Sequence, residues 1–322
     1  MPDGVLLLVL CILVLIGAAY GYYWYSPAPP LPALGAKIRQ STVRVSGTER
    51  SYLIYVSANL PQRSALVIVL HGSGMNGARM RKCTGYEFDC LADRHGFVVL
   101  YPDGYRGNWN DCRKHATFPA KRENIDDMRF IRTLIARTSF EQAIDEKQFY
   151  VFGYSNGAQM AFRLATEAAD EIAAIVAVSA NLPITGASSC PQQGRTSRVM
   201  LINGTADPIN PYEGGVVTLF GFASRGAVMS SMATAQHFAE RNGLTGWPVR
   251  AKLKVPPESA TSVDRLTWQA DGRPMCTLYT VKDGGHVIPQ RAYRFPRLLG
   301  RTASAPDAPR EAIRFFEHDS FV

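Results

Sequence analysis

The chain has 322 residues, 46% of them hydrophobic and 19% charged, and its 35 Lys and Arg against 27 Asp and Glu give a net charge of +8. This is ample material for one large core, and two small domains are also permitted. The basic excess suits an anionic membrane or polymer but does not indicate nucleic acid, because no helix-turn-helix, finger or aromatic-basic ribonucleoprotein pattern accompanies it.

The stretch "VLLLVLCILVLIGAAYGYYWY", Val5 to Tyr25, runs 21 residues without a charge, and about 20 suffice to span a bilayer as a helix. Tyr20, Tyr22, Tyr23, Trp24 and Tyr25 gather at one end of it, where amphipathic rings favour the membrane interface. A cleaved secretory signal is the alternative. Against it, the run is long, no Lys or Arg precedes it, and no Ala-x-Ala site follows it closely. Cys11 lies in mid-run with no basic residues ahead of it and reads as lipid-facing or helix-packing rather than as a lipoprotein cysteine. A Pro/Ala spacer, "SPAPPLPALGA", follows, so residues 1–36 form an anchor or signal segment with its spacer and residues 37–322 the folded domain. Lys37, Arg39, Arg44 and Arg50 all follow the segment; the positive-inside tendency would keep that domain cytoplasmic, but large domains cross regardless.

Beyond the spacer, "TVRVSGTERSYLIYVS" alternates apolar and polar residues around Gly47-Thr48, as an antiparallel hairpin does. Six short continuous apolar runs then recur: Ala65 to Leu70, Gly96 to Tyr101, Gln148 to Phe152, Ala173 to Ser179, Arg198 to Asn203 and Cys276 to Val281. Continuous apolarity suits strands covered on both faces of a parallel sheet. Helical patterns lie between them. Met128, Ile131, Leu134 and Ile135 form a stripe behind Asp126 and Asp127, whose charges suit a helix N-terminus. Ala161, Leu164, Ala165 and Ala168 form a second, Met229 to Gly243 a third with Gly243 as its stop, and Ala308 to His318 closes the chain. The alternation predicts an α/β domain, a mostly parallel central sheet flanked by helices, behind an N-terminal hydrophobic helix. Residues 183–197 and 244–275 read as longer loops or insertions in which a pocket could be built.

Five of the six cysteines (Cys83, Cys90, Cys112, Cys190, Cys276) lie beyond the apolar segment, compatible with an oxidising compartment and one or two disulfides. An odd number leaves at least one thiol unpaired within the chain. No pair has zinc-site spacing.

Gly153-Tyr154-Ser155-Asn156-Gly157 sits directly after a strand and before a helix, where a Gly-x-Ser-x-Gly turn exposes its serine as a nucleophile. The alternative, a plain glycine-rich turn, offers no reason for the partners that follow. A serine hydroxyl needs a base, and the base an orienting acid. Asp207 comes four residues after the strand ending at Asn203, and His286 five after the strand ending at Val281. The order Ser155, Asp207, His286 is the one such a sheet requires. An Asp before Pro208 can instead simply form a turn. The oxyanion of a tetrahedral intermediate needs donors; the Asn156 N–H is one, and the Ser73 N–H in "LHGSGMNG" the other, with His71 tying that loop down. Trp109 in "YPDGYRGNWNDCR" either stacks on a substrate or anchors its loop. Tyr154, and Tyr212 in "PYEGG", are further candidates for substrate contact, although the latter stretch can also be a turn.

"LHGSG", "YPDGYRGNWNDC", "DDMRFI", "VFGYSNGAQMAFRLA", "NGTADPINPYEGG" and "GGHVIP", in that order, resemble the polyhydroxybutyrate depolymerase/feruloyl esterase family of α/β-hydrolases, which also contains acetylxylan esterases. The resemblance extends from about Ser41 to His318. It implies an α/β-hydrolase fold for residues 37–322, Ser155 as nucleophile, Asp207 as acid, His286 as base, and a serine esterase without metal or organic cofactor. Polyhydroxybutyrate or hydroxyalkanoate oligomers and feruloyl or acetyl esters are the implied substrates. A serine peptidase or thioesterase would use the same triad; a non-catalytic envelope binding protein would be favoured only if a triad member were missing. The expected location is the cell envelope, membrane-anchored with the domain periplasmic or extracellular, or secreted if the segment is cleaved. No nucleic acid and no obligate protein partner are expected.

Overall fold

The computed structural model describes residues 2–191, 193–256 and 260–317. Its elements follow in chain order as α1 (Pro2–Tyr23), the hairpin β1 (Arg39–Val45) and β2 (Thr48–Val56), β3 (Ser64–Leu70), α2 (Gly77–Cys83), α3 (Glu87–His95), β4 (Val98–Pro102) and α4 (Pro119–Arg122). Then come α5 (Asp127–Gln142), β5 (Ile144–Tyr154), α6 (Asn156–Glu167), β6 (Ala174–Val178) and β7 (Arg198–Gly204). A two-residue pair, β8 (Gly215–Val216) and β9 (Ala227–Val228), precedes α7 (Ser231–Arg241), β10 (Val249–Lys252), β11 (Val263–Ala270), β12 (Arg273–Val281) and α8 (Ala308–Glu317). His318, the expected end of the last helix, lies outside the described residues.

The main sheet has the order β1-β2-β4-β3-β5-β6-β7-β12-β11-β10. The inner strands from β4 to β12 are parallel, and antiparallel strands finish both edges. This is the mostly parallel sheet of an α/β-hydrolase. Period-two alternation divides each inner strand between two cores: Leu66 and Ile68 of β3 pack with α5, α6 and α7, while Val67 and Val69 pack with α2, α3 and α8. Because both faces are covered, the runs are apolar throughout.

Residues 244–275 depart from the expected loop. They hold β10, β11 and the start of β12; in β11 Leu266 and Trp268 pack into one core and Val263 into the core on the other face, with half-exposed residues between them. Near the sheet edge the apolar positions are spaced out among polar ones, and the Gly and Pro residues before them hide that pattern in the sequence. Residues 183–197 do form a loop, stapled by a disulfide from Cys190 to Cys112; Cys11, Cys83, Cys90 and Cys276 are free.

α1 is the one helix among the described residues long and apolar enough, by length and composition, to cross a membrane. Its large apolar side chains are exposed.

At the other end of β2, buried Arg50 donates to Asp127 Oδ1 at 2.8 Å and to the Asp103 carbonyl at 3.1 Å, with its guanidinium 4.0 Å from the centre of the Phe130 ring. Asp127 Oδ2 accepts the Asn110 N–H at 2.7 Å. One ion pair thus joins β2, the loop after β4 and the first turn of α5, while Asp126 caps that helix by accepting the Arg129 N–H. Removing one partner of a buried pair leaves the other charge unpaired. Arg50→Ala is therefore expected to lower the urea unfolding free energy by about 3 kcal/mol, whereas an exposed-pair variant such as Arg137→Ala should change it by less than about 1 kcal/mol.

Candidate active site

The site lies at the carboxyl edge of the parallel strands, where loops follow β3, β4, β5, β7 and β12. Between β5 and α6 the chain reverses through a single residue, Ser155, at φ +53° and ψ −114°. A non-glycine residue rarely adopts a positive φ, and holding it there costs about 1–3 kcal/mol. The surroundings leave it no choice. A Cβ on Gly153 would stand 2.4 Å from the Gly157 carbonyl oxygen, and one on Gly157 would stand 2.3 Å from that of Leu70. Only glycines allow strand, turn and helix to close this tightly. The Ser155 N–H donates to the Val178 carbonyl at 2.9 Å, fixing the turn to β6.

Ser155 Oγ is 2.9 Å from His286 Nε2, and His286 Nδ1 is 2.7 Å from Asp207 Oδ2. Asp207 Oδ1 accepts the backbone N–H groups of Ile209 and Asn210, both at 2.8 Å. A carboxylate is an acceptor only, so the hydrogen lies on Nδ1 and the Nε2 lone pair faces the serine. The imidazole is 5% exposed and the Asp207 carboxylate 2%, so little water competes for either contact. Backbone bonds hold the histidine in place: its N–H donates to Leu299 O at 2.6 Å and its carbonyl accepts the Tyr154 hydroxyl at 2.7 Å. A hydroxyl so aligned can pass its proton to the ring as it attacks an electrophile.

The loop after β3 passes beside Ser155. His71 is fully buried; its Nε2 accepts the Gly104 N–H and its Nδ1 donates to the Gly72 carbonyl, each at 2.8 Å. Burial pushes its pKa down to about 4, so it is a neutral brace between two loops and not a second base. Gly74 N–H donates to Gly107 O and Met75 N–H to Gly72 O. Ser73, between them, lines the cavity at Ser155. Asn156 is the first residue of α6, where an N–H has no carbonyl one turn back to accept it.

That cavity holds about 200 Å³ and is walled by Gly72, Ser73, Tyr154, Ser155 and His286 with the apolar side chains of Val217 and Leu219. A larger space of about 930 Å³, between β10–β12 and α8, contains none of Ser155, Asp207 or His286. Among the described residues no group of three or more His, Cys, Asp or Glu side chains is placed to hold a metal ion.

The aromatic candidates divide. Tyr154 does line the cavity, but its hydroxyl is engaged with the His286 carbonyl. Trp109 does not contact it: the ring is fully buried, its Nε1–H donates to the His71 carbonyl at 2.9 Å and its backbone N–H to Asn156 Oδ1 at 2.8 Å. It is a loop anchor with no face left for a substrate. Tyr212 lines a separate cavity with Asp264 and bonds Thr280 Oγ1 at 2.6 Å. "PYEGG" therefore turns away from Ser155. The sequence reading missed Arg79, Arg113 and Arg225, which also border the cavity at Ser155. Only Arg113 had a usable signal, its neighbour Cys112 in a disulfide-permissive chain.

Comparison with known proteins matches residues 54–219 to the family model described as Phospholipase/Carboxylesterase. A protein of Nocardia uniformis subsp. tsuyamanensis assigned as an esterase, NocK, is 27% identical over 295 residues, covering 86% of this chain and 82% of that protein. The bifunctional acetylxylan esterase/xylanase XynS20E of Neocallimastix patriciarum is 28% identical over 172 residues, covering 53% of this chain and 23% of that protein. An acetyl xylan esterase from Aspergillus awamori superposes with a TM-score of 0.59 at 15% identity over 88% of this chain and 100% of that one, a likeness of fold.

His71 generates a pH prediction. Its folded pKa, about 4, lies below the ordinary value of 6.5, so the unfolded chain binds more protons between those values and stability falls as pH drops through that window. From pH 7 to pH 4, the wild type should lose about 3 kcal/mol more unfolding free energy than a His71→Gln variant, measured by denaturant titration at each pH. Parallel profiles would contradict the assignment of His71 as a buried neutral brace.

Proposed function

We propose that this chain, which belongs to the phospholipase/carboxylesterase family of α/β-hydrolases, is a serine esterase working through an acyl-enzyme. Carboxylic ester hydrolysis is the coarse activity that the family and the named relatives support. The observation that carries the serine mechanism is the continuous chain from Ser155 Oγ through His286 to Asp207, at 2.9 and 2.7 Å, on a strained strand-to-helix turn.

Ser155 Oγ attacks the ester carbonyl carbon while its proton passes to His286 Nε2. Asp207 keeps the ring in the right tautomer and stabilises the imidazolium that forms. The carbonyl oxygen, now negative, is held by the Asn156 and Ser73 N–H groups; one such donor is worth about 10²- to 10³-fold in rate. His286 returns the proton to the departing alcohol, leaving the acyl group on Ser155. It then takes a proton from water, whose oxygen attacks the acyl carbon, and the acid leaves with Ser155 restored. This chemistry calls for no metal or organic cofactor.

At about 200 Å³ the cavity is smaller than the roughly 300 Å³ at which drug-sized sites begin. It suits a short acyl group, acetyl or hydroxybutyryl, better than feruloyl. The buried disulfide between Cys112 and Cys190 favours an oxidising compartment, and exposed α1 favours attachment to a membrane. The domain is then held at the cell envelope, periplasmic or extracellular, or released if the segment is cleaved.

Ser155→Ala is expected to lower kcat for p-nitrophenyl acetate by about 10⁴-fold or more and to abolish labelling by a fluorophosphonate probe, with an unchanged far-ultraviolet circular dichroism spectrum. Turnover at the wild-type rate in that variant would refute the mechanism.

A further inference from the structure

Three arginines border the small cavity at Ser155, and among the described residues no Asp or Glu side chain lines it. The carboxylate of Asp207 is turned to His286 and to its own loop. Of the three, Arg113 is neutralised: its Nε and Nη2 both bond the Asp111 carboxylate, at 3.1 and 2.5 Å for Oδ2. Arg79 and Arg225 form no ion pair among the described residues.

Arg225 is the more constrained. It sits on the return limb of the loop between β8 and β9, where its N–H donates to the Val217 carbonyl and the Val217 N–H donates to the Gly226 carbonyl, both at 2.9 Å. Its guanidinium lies 4.2 Å from the centre of the Phe118 ring. That cation–π contact helps to hold the side chain in place and leaves its N–H groups for another partner. Asp111, the acid whose field reaches it, already serves Arg113 and the Asn156 amide. Burial, and then the neighbouring charge of Arg113, disfavour its charged form. A carboxylate would meet this guanidinium through charge-assisted hydrogen bonds and balance the charge that its burial disfavours.

We infer that the esterase site selects esters carrying a carboxylate or similar anionic group near the scissile bond, with Arg225 as the residue that reads it and Arg79 adding positive potential at the mouth. This rests on the esterase reading above and narrows it. Walls of one charge around a confined cleft raise the local concentration of the opposite charge, and a guanidinium fork binds a carboxylate through charge-assisted hydrogen bonds. A linear hydroxyalkanoate oligomer, whose last unit ends in a free carboxylate, has this chemistry; a neutral acetyl ester does not.

The test compares mono-p-nitrophenyl adipate with its methyl-capped counterpart, p-nitrophenyl methyl adipate, following nitrophenolate release. The two share an acyl chain and differ in the terminal charge. The full-length wild type should show the higher kcat/KM for the free carboxylate, a preference that shrinks in 0.5 M salt by about the extent screening allows. Arg225→Gln should cut the ratio of the two kcat/KM values about 10-fold or more, chiefly through KM, and Arg225→Lys should keep most of the preference. Equal turnover of both esters by the wild type, or an unchanged ratio in Arg225→Gln, would overturn the inference. p-Nitrophenyl butyrate separates the two levels: if the wild type hydrolyses it and both adipates without preferring the charged one, the inference alone fails, and if it hydrolyses none of the three esters, the esterase reading fails with it.

Discussion

The close approach of Gly157 to the carbonyl of Leu70 is the constraint on which the site depends. A Cβ at that position would lie 2.3 Å from the Leu70 oxygen and 2.6 Å from that of His71, so α6 can enter the gap beside β3 only with glycine there. This approach bends the chain sharply after β5, drives Ser155 to positive φ, and sets the Asn156 N–H beside the loop that carries Ser73. Shifting the helix outward would move the Asn156 N–H, one of the two proposed oxyanion donors, and lift the hydroxyl away from His286. The strain at Ser155 persists because both flanking elements are buried in the sheet core, which over-determines its backbone.

A second layer supports that turn from behind. The Asn156 side chain accepts the Trp109 N–H and donates to Asp111, Asp111 holds Arg113, and the adjacent Cys112 is tied to Cys190. Trp109 in turn donates to the His71 carbonyl, and His71 receives the Gly104 N–H. The loop after β4 is therefore a brace between the two sides of the proposed oxyanion hole. Because its polar groups are buried, each must find a partner, and together they specify one arrangement of the backbone around Ser155. This explains why Trp109, Asn110 and Asp111 support the site without lining its cavity, while Arg113 at the end of the same stretch borders it.

The strands of the inner sheet were legible because covered strands are apolar at every position, and their helices because the stripes repeat with a helical period. β10 and β11 were not, since an edge hairpin of charged and polar residues interrupted by Gly and Pro resembles a loop until the partner strand is known. Ser155, Asp207 and His286 could be read together because each follows a strand at the same sheet edge, a matter of local order. Trp109 and Tyr212 could not be placed, because their burial is decided by His71 and Thr280, distant in sequence from both. Arg225 left no local signature at all. Its proposed role arises from the Phe118 ring beside it and from the lack of an acid in the cavity wall among the described residues, both of which are properties of the folded chain.

In the proposed mechanism Ser155 carries the acyl group during turnover. The most direct test is mass spectrometry of the protein quenched in acid during hydrolysis of p-nitrophenyl butyrate, followed by peptide mapping. A butyryl adduct is expected on the peptide containing Ser155, formed as nitrophenolate appears and lost as turnover ends. Steady turnover with the adduct on another residue, or accumulation of none when deacylation is slowed by a poor acceptor solvent, would contradict this mechanism.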